Sequence, residues 1–154
     1  MNLRIYQIGK TKEDWLKAGI DEYLKRLGAF LKVEIIELPD VSLKSTGCAD
    51  IVKARETQNV LKRISPDEYL ILLDESGVQK SSLEFSRYLT NLYERKSVVF
   101  VIGGVFGTDN ALKQRADLIL SLSAMTFTHQ MVRLVLIEQI YRAMMISHNR
   151  NYHI

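Results

Sequence analysis

The chain has 154 residues, 47% hydrophobic and 25% charged, which suits one domain with a full core, and no apolar run approaches the length that spans a membrane. A formal net charge of +3 and a pI near 9.0 tilt toward a polyanionic partner, weakly, because the Lys and Arg residues are scattered. The single cysteine, Cys48, excludes an intramolecular disulfide and a cysteine-built metal site, and His129, His148 and His153 lack metal-ligand spacing.

Leu3 to Ile8 reads as a strand. Lys12 to Leu27 reads as an amphipathic helix with Leu16, Ile20, Tyr23, Leu24 and Leu27 on one stripe, and Gly28 fits its stop. Val33 to Leu38 is a second strand, closed by Pro39. Asp40 to Ala49 has loop composition, and Asp50 to Ile64 looks helical up to Ser65-Pro66. Tyr69 to Leu73 is an apolar strand, and the helix from Ser81 to Arg95 starts with the capping-box pattern Ser81-Ser82-Leu83-Glu84. Val98 to Ile102 is a strand running into Gly103-Gly104, a short helix follows Thr108, and Leu118 to Leu120 is another strand. A long helix from His129 to Ser147 precedes the tail, His148 to Ile154. The alternation predicts an α/β fold, residues 1–154 as one domain, with a mainly parallel sheet and helices on both faces. The N-terminus lacks the apolar core of a signal peptide, so a cytoplasmic protein is expected.

Three strands of the second half end in unusual loops: Leu73-Asp74-Glu75-Ser76-Gly77, Gly103-Gly104-Val105-Phe106-Gly107 and Ser121 to Phe127. In open α/β sheets ligands bind beyond the carboxyl ends of the strands, so these loops are expected to wall one pocket. The glycine spacing, GGxxG, is neither a dinucleotide fingerprint nor a Walker A loop. Asp74 and Glu75 are adjacent and point opposite ways in an extended chain, a poor acid/base pair.

Thr128 is a candidate cap for the long helix, with His129 in its first turn and Arg133 four residues on, on the same face. The helix N-terminus favours an anion and opposes protonation of His129, which leaves a neutral imidazole able to accept a proton; a residue that merely shapes the helix entrance remains the alternative. The helix body (Val132, Leu134, Val135, Leu136, Ile137, Ile140) is apolar on nearly every side, which predicts burial on nearly every side, and its excess apolar surface suggests a helix-to-helix dimer. Glu138 and Arg142 are placed to pair.

The phrases LRIYQIGK, DEYLKRL, IIELPD, LLDESG, FVIGGVFG, LSLSAMTFTHQMVRLVLIEQIYRA and the tail YH together resemble, over essentially the whole chain, the small bacterial SPOUT methyltransferases that methylate a pseudouridine of large-subunit ribosomal RNA, the RlmH (YbeA) family. The resemblance implies an α/β trefoil knot, formed by threading of the C-terminal segment, that holds S-adenosylmethionine (S-adenosyl-L-methionine). Leu73, Gly103, Gly104, Leu122, Ser123, Ala124, Met125, Thr126 and Phe127 match the family's cofactor-contacting positions. It implies a homodimer joined through the final helix, with no metal and no membrane, acting on N3 of a pseudouridine in 23S rRNA. His129, Arg133, Tyr152 and His153 match the residues proposed to shape the catalytic region: Arg133 toward a phosphate or anion, Tyr152 and His153 toward the nucleotide. Two departures stand out: no proline precedes His129, where Thr128 stands, and Ile154 replaces a basic residue. The lack of any RNA-binding appendage points to the large subunit within the assembled ribosome as substrate. The alternatives are a non-catalytic RNA- or ribosome-associated protein, and a nucleotide-binding enzyme that the missing phosphate loops argue against.

Overall fold

The apolar runs of the sequence become one five-stranded sheet in a computed structural model that describes residues 1–95 and 97–152. In chain order the elements are β1 (Asn2–Ile8), α1 (Asp14–Leu27), β2 (Lys32–Leu38), α2 (Leu43–Thr46), α3 (Ala49–Leu61), β3 (Tyr69–Gln79), α4 (Ser82–Asn91), β4 (Ser97–Ile102), α5 (Asn110–Arg115), β5 (Leu118–Ser121) and α6 (His129–Ser147). The strand order is β2-β1-β4-β3-β5 and every pair is parallel.

Successive residues of a strand face opposite sides of its sheet, so a parallel strand covered on both sides must be apolar throughout. In β4, Val98, Phe100 and Ile102 join the core beneath α1, α4 and α6. Val99 and Val101 join the core on the other face, with Val60 of α3 and Leu112 of α5. The result is a three-layer α/β/α sandwich, as the alternation of elements predicted. The starts of α4 and α6 are fixed by side-chain caps. Ser81 and Glu84 form a reciprocal capping box, and the Thr128 side chain accepts the Met131 N–H.

The differences from the sequence reading are local and physical. The expected loop between Asp40 and Ala49 contains the single-turn helix α2, and α4 stops at Asn91, short of Arg95. Gly28 ends α1 in a right-handed conformation (φ −55°), its N–H donating to the Leu24 carbonyl, so the stop does not use a left-handed cap. Strand β3 continues six residues past Leu73, to Gln79, and both Leu73 and Val78 pair with Leu120, so residues 74–77 bulge out of the ladder. Gly77 makes the return possible: a Cβ there would lie 2.6 Å from the Ile119 carbonyl carbon and oxygen. A polar Asp-Glu-Ser-Gly run carries no strand period, which is why the extension was invisible in the sequence.

Helix α6 corrects a larger expectation. It is buried along one stripe only (Arg133, Leu136, Ile137, Ile140, Ala143 and Met144), while Met131, Val132, Leu134 and Val135 stay partly open. A helix resting on one face of a sheet has neighbours on one side, whatever its composition.

Candidate active site at the carboxyl edge of the sheet

Parallel strands bring their carboxyl ends to one edge, so the loops after β3, β4 and β5 meet there with the head of α6. Together they enclose a cavity of about 900 Å³. Of the residues marked as cofactor-contacting, Leu73, Gly103, Gly104, Leu122, Ser123, Met125, Thr126 and Phe127 line it; Ala124 shares the loop but does not. His129 also lines it. Met125 is 77% exposed and Phe127 40%.

The two carboxylates that made a poor acid/base pair tie the loops together. Asp74 accepts from the Ser76 N–H at 3.0 Å and from the Thr108 hydroxyl at 3.2 Å, and pairs with Lys113 at 3.0 Å. Burial opposes its charge, but the Ser76 hydrogen bonds and Lys113 prevail and hold its carboxyl below the ordinary range. Glu75 accepts from the Thr126 hydroxyl at 3.4 Å, joining the β3 loop to the loop after β5. Ser123 accepts the Met125 N–H at 2.9 Å and so sets a local turn. Lys113, Thr108 and Gln130, which the sequence did not single out, also line the cavity.

A second cavity of about 590 Å³ lies beyond the ends of β1 and β2. It shares Gly104, Val105, Phe106, His129 and Gln130 with the first. Among the described titratable residues, only His129 lines both. Burial lowers the pKa of His129, and the nearby Arg133 and Lys12 add to the effect, so the ring is neutral at neutral pH. Beside it, the Gln130 amide donates to the Lys10 carbonyl at 3.0 Å and accepts the Lys12 N–H at 3.0 Å. This strap holds the segment after β1 against the head of α6.

Arg133 lines neither cavity. It is 3% exposed and donates to the Ile8 carbonyl at 2.6 Å and the Thr11 hydroxyl at 2.9 Å. In this geometry its guanidinium anchors the end of β1. Burial lowers its pKa, partly offset by Glu37, which accepts from the Thr11 N–H at 3.1 Å. Tyr152 also lines neither cavity. Its hydroxyl lies 3.3 Å from that of Tyr23 and 3.2 Å from Glu138, and Arg142 stacks 4.8 Å from its ring centroid. Glu138 and Arg142 form the expected pair at 2.7 Å. His153 lies outside the described residues, as do Lys96 and Ile154. Among the described residues no acidic, His or Cys cluster could hold a metal ion, and no helix is long and apolar enough to cross a membrane. Cys48 is exposed and free.

A family model described as "Predicted SPOUT methyltransferase" matches residues 1–153. The chain belongs to the SPOUT methyltransferase family. It is also 48% identical over 158 residues, covering 99% of both chains, to proteins named "Ribosomal RNA large subunit methyltransferase H" from Bacillus thuringiensis (strain Al Hakam), Bacillus cereus (strain B4264) and Bacillus anthracis. Membership of this family makes the chain a methyltransferase and implies a methyl donor. The all-parallel sheet agrees with that family.

Proposed function

We propose that this protein transfers a methyl group from S-adenosylmethionine to N3 of a pseudouridine in 23S rRNA of the large ribosomal subunit. The observation that carries the reading is the pair of joined cavities with the neutral His129 at their junction. The first cavity has the size and the mixed apolar and backbone lining of a small-molecule site. Its lining sets two carboxylates, Asp74 and Glu75, against one cation, Lys113, a net negative charge that fits a cationic sulfonium ligand better than a polyphosphate. When bound, S-adenosylmethionine supplies an electrophilic methyl group and its own leaving group, so no covalent intermediate on the protein is required.

The protein's task is then to orient the acceptor and to manage one proton, because an imide N–H is non-nucleophilic until deprotonated. In this reading His129, on the wall of both cavities, takes that proton. Its lowered pKa keeps the base form available below the ordinary imidazole value of about 6.5. The backbone of Leu122 to Phe127 with Leu73, Gly103 and Gly104 would hold the donor, and threading of the C-terminal segment as a trefoil knot belongs to the same proposal. The half-exposed apolar side of α6 supports a homodimer, in which Tyr152 and His153 of each tail reach the nucleotide at the partner's site. The assembled ribosome, in the cytoplasm, is the proposed substrate.

Calorimetric titration with S-adenosylmethionine should give micromolar binding, and tritiated methyl transfer should be far greater on ribosomes or large subunits than on naked rRNA. Equal transfer to naked rRNA would remove the assembled-particle part. Binding of S-adenosylmethionine no tighter than of ATP or NAD would remove the methyltransferase reading. His129→Gln should cut transfer by about a hundredfold or more while donor affinity changes little.

A further inference from the structure

The second cavity contains a carboxyl group with unfinished bonding. Glu56 of α3 is 5% exposed. Its Oε1 accepts the Val41 N–H at 3.0 Å, but its Oε2 is enclosed and has no partner. A buried acceptor left unpaired is costly and usually marks a ligand or a functional constraint. Burial raises the pKa of the carboxyl, and Asp40 adds to the shift.

The position of this oxygen is informative. A side-chain carbon at Gly104 would lie 2.7 Å from Oε2 and 3.2 Å from Ile8 Cγ2. The Gly104 backbone therefore packs directly over Oε2 and covers it, and only a glycine fits there. Gly104 belongs to the wall shared by both cavities, and its turn is closed by a short bridge to Gly107. On the same wall, Val105 is 73% exposed and Phe106 39%, an apolar surface on which a base can stack. Lys10 and Lys12 stand at the β1 side of the cavity, where the phosphates of an RNA strand would pass.

We propose that this second cavity receives the acceptor base, and that Glu56 selects pseudouridine over uridine by accepting a hydrogen bond from the base's second ring N–H. The inference rests on the methyltransferase reading above and deepens it. Rotating uracil about its N3–C6 axis exchanges N1 with C5. Pseudouridine and uridine therefore offer the same N3 to the methyl donor, and they differ at one edge atom: N1–H in pseudouridine, C5–H in uridine. A lifted Gly104–Gly107 turn opens Oε2 to that edge. With pseudouridine the orphan oxygen gains its donor; with uridine it faces a carbon and stays unpaired. A site that hydrogen-bonds a ligand group discriminates strongly against the analogue lacking it.

The test measures methyl transfer to large-subunit particles carrying their pseudouridines and to matched particles holding uridine throughout, for the wild type and for Glu56→Gln. Glutamine keeps the size of the side chain but has one acceptor oxygen, already claimed by the Val41 N–H, and turns its NH₂ toward the base. The wild type should strongly prefer pseudouridine, and Glu56→Gln should shrink that preference by about tenfold or more. Its affinity for S-adenosylmethionine should be unchanged, which certifies the fold. An undiminished preference in Glu56→Gln, whatever its absolute rate, overturns the proposal, as does a wild type that methylates both particles equally. A wild type that binds S-adenosylmethionine and methylates neither overturns the underlying function as well.

Discussion

The two edges of the sheet are built on opposite principles. At the amino edge the polar groups satisfy one another. Glu68 pairs with Arg4 and accepts from the Ser97 hydroxyl at 2.6 Å and the Ser65 N–H at 2.9 Å. Arg115 donates to the carbonyls of Ser65, Pro66 and Glu68, and Asp117 accepts the Leu70 N–H at 2.7 Å. At the carboxyl edge the loops enclose two cavities, expose Val105 and Met125, and leave Gln7 Oε1, Glu56 Oε2 and Arg133 Nε without partners. Arg4 Nε is the one such atom at the amino edge among the described residues. One edge is closed almost entirely by its own hydrogen bonds, whereas the other leaves buried polar groups unpaired, as the surroundings of sites commonly do at some expense of stability.

The contrast can be attacked by mutation. The largest effect should come from Gly77→Ala, which drives a methyl into the Ile119 backbone and cannot be relieved by a rotamer change. A loss of about 3 kcal/mol in urea unfolding is expected, with weaker donor binding because the same return closes the first cavity. Arg133→Met should cost about 2 kcal/mol, since it strips the Ile8 carbonyl and the Thr11 hydroxyl of a charged donor. A greater loss of methyl transfer than of donor affinity would show that the end of β1 serves the acceptor side. Arg115→Ala at the amino edge should cost about 1 kcal/mol and leave donor affinity unchanged. A change in affinity there would break the division between the edges.

The smallest effect is in the pH dependence of unfolding, where Glu68 at the amino edge and Glu56 at the carboxyl edge carry opposite signs. Burial acts against the Glu68 charge, but Ser97, Ser65 and Arg4 outweigh it and lower its pKa. The folded state then binds fewer protons than the unfolded chain, so this contribution is present above the ordinary carboxylate value and is lost as pH falls through the lowered one. Glu56, raised by burial, does the reverse: its contribution is present below the ordinary value and lost as pH rises through the raised one. Glu68→Gln should flatten the acid limb of the stability profile and Glu56→Gln the limb toward neutrality. The same slope in both variants would contradict the assignment.

Much of this was legible from periodicity. The strands at Leu3, Val33, Tyr69, Val98 and Leu118, the capping box at Ser81 and the cap at Thr128 follow from local chemistry, which needs no distant partner. That three strand-end loops would meet was legible too, because parallel strands send their carboxyl ends to one edge. The polar return of β3 through Gly77 was not, because its justification is the Ile119 backbone some forty residues on.

By itself, then, the sequence determined the α/β class, the helix boundaries near their caps, the loops that line the first cavity and the resemblance that led to the family. Only the tertiary structure decided what the side chains in those places do. Arg133 lies beside His129 in helical spacing but turns to the end of β1, Tyr152 docks on Tyr23 and Glu138, and Glu56, an ordinary residue of a helical run, becomes an orphan carboxyl beneath Gly104. The physical reason is range: caps and periods are set by neighbours within a few residues, whereas burial and hydrogen-bond partners are set by groups that only the packed chain brings together.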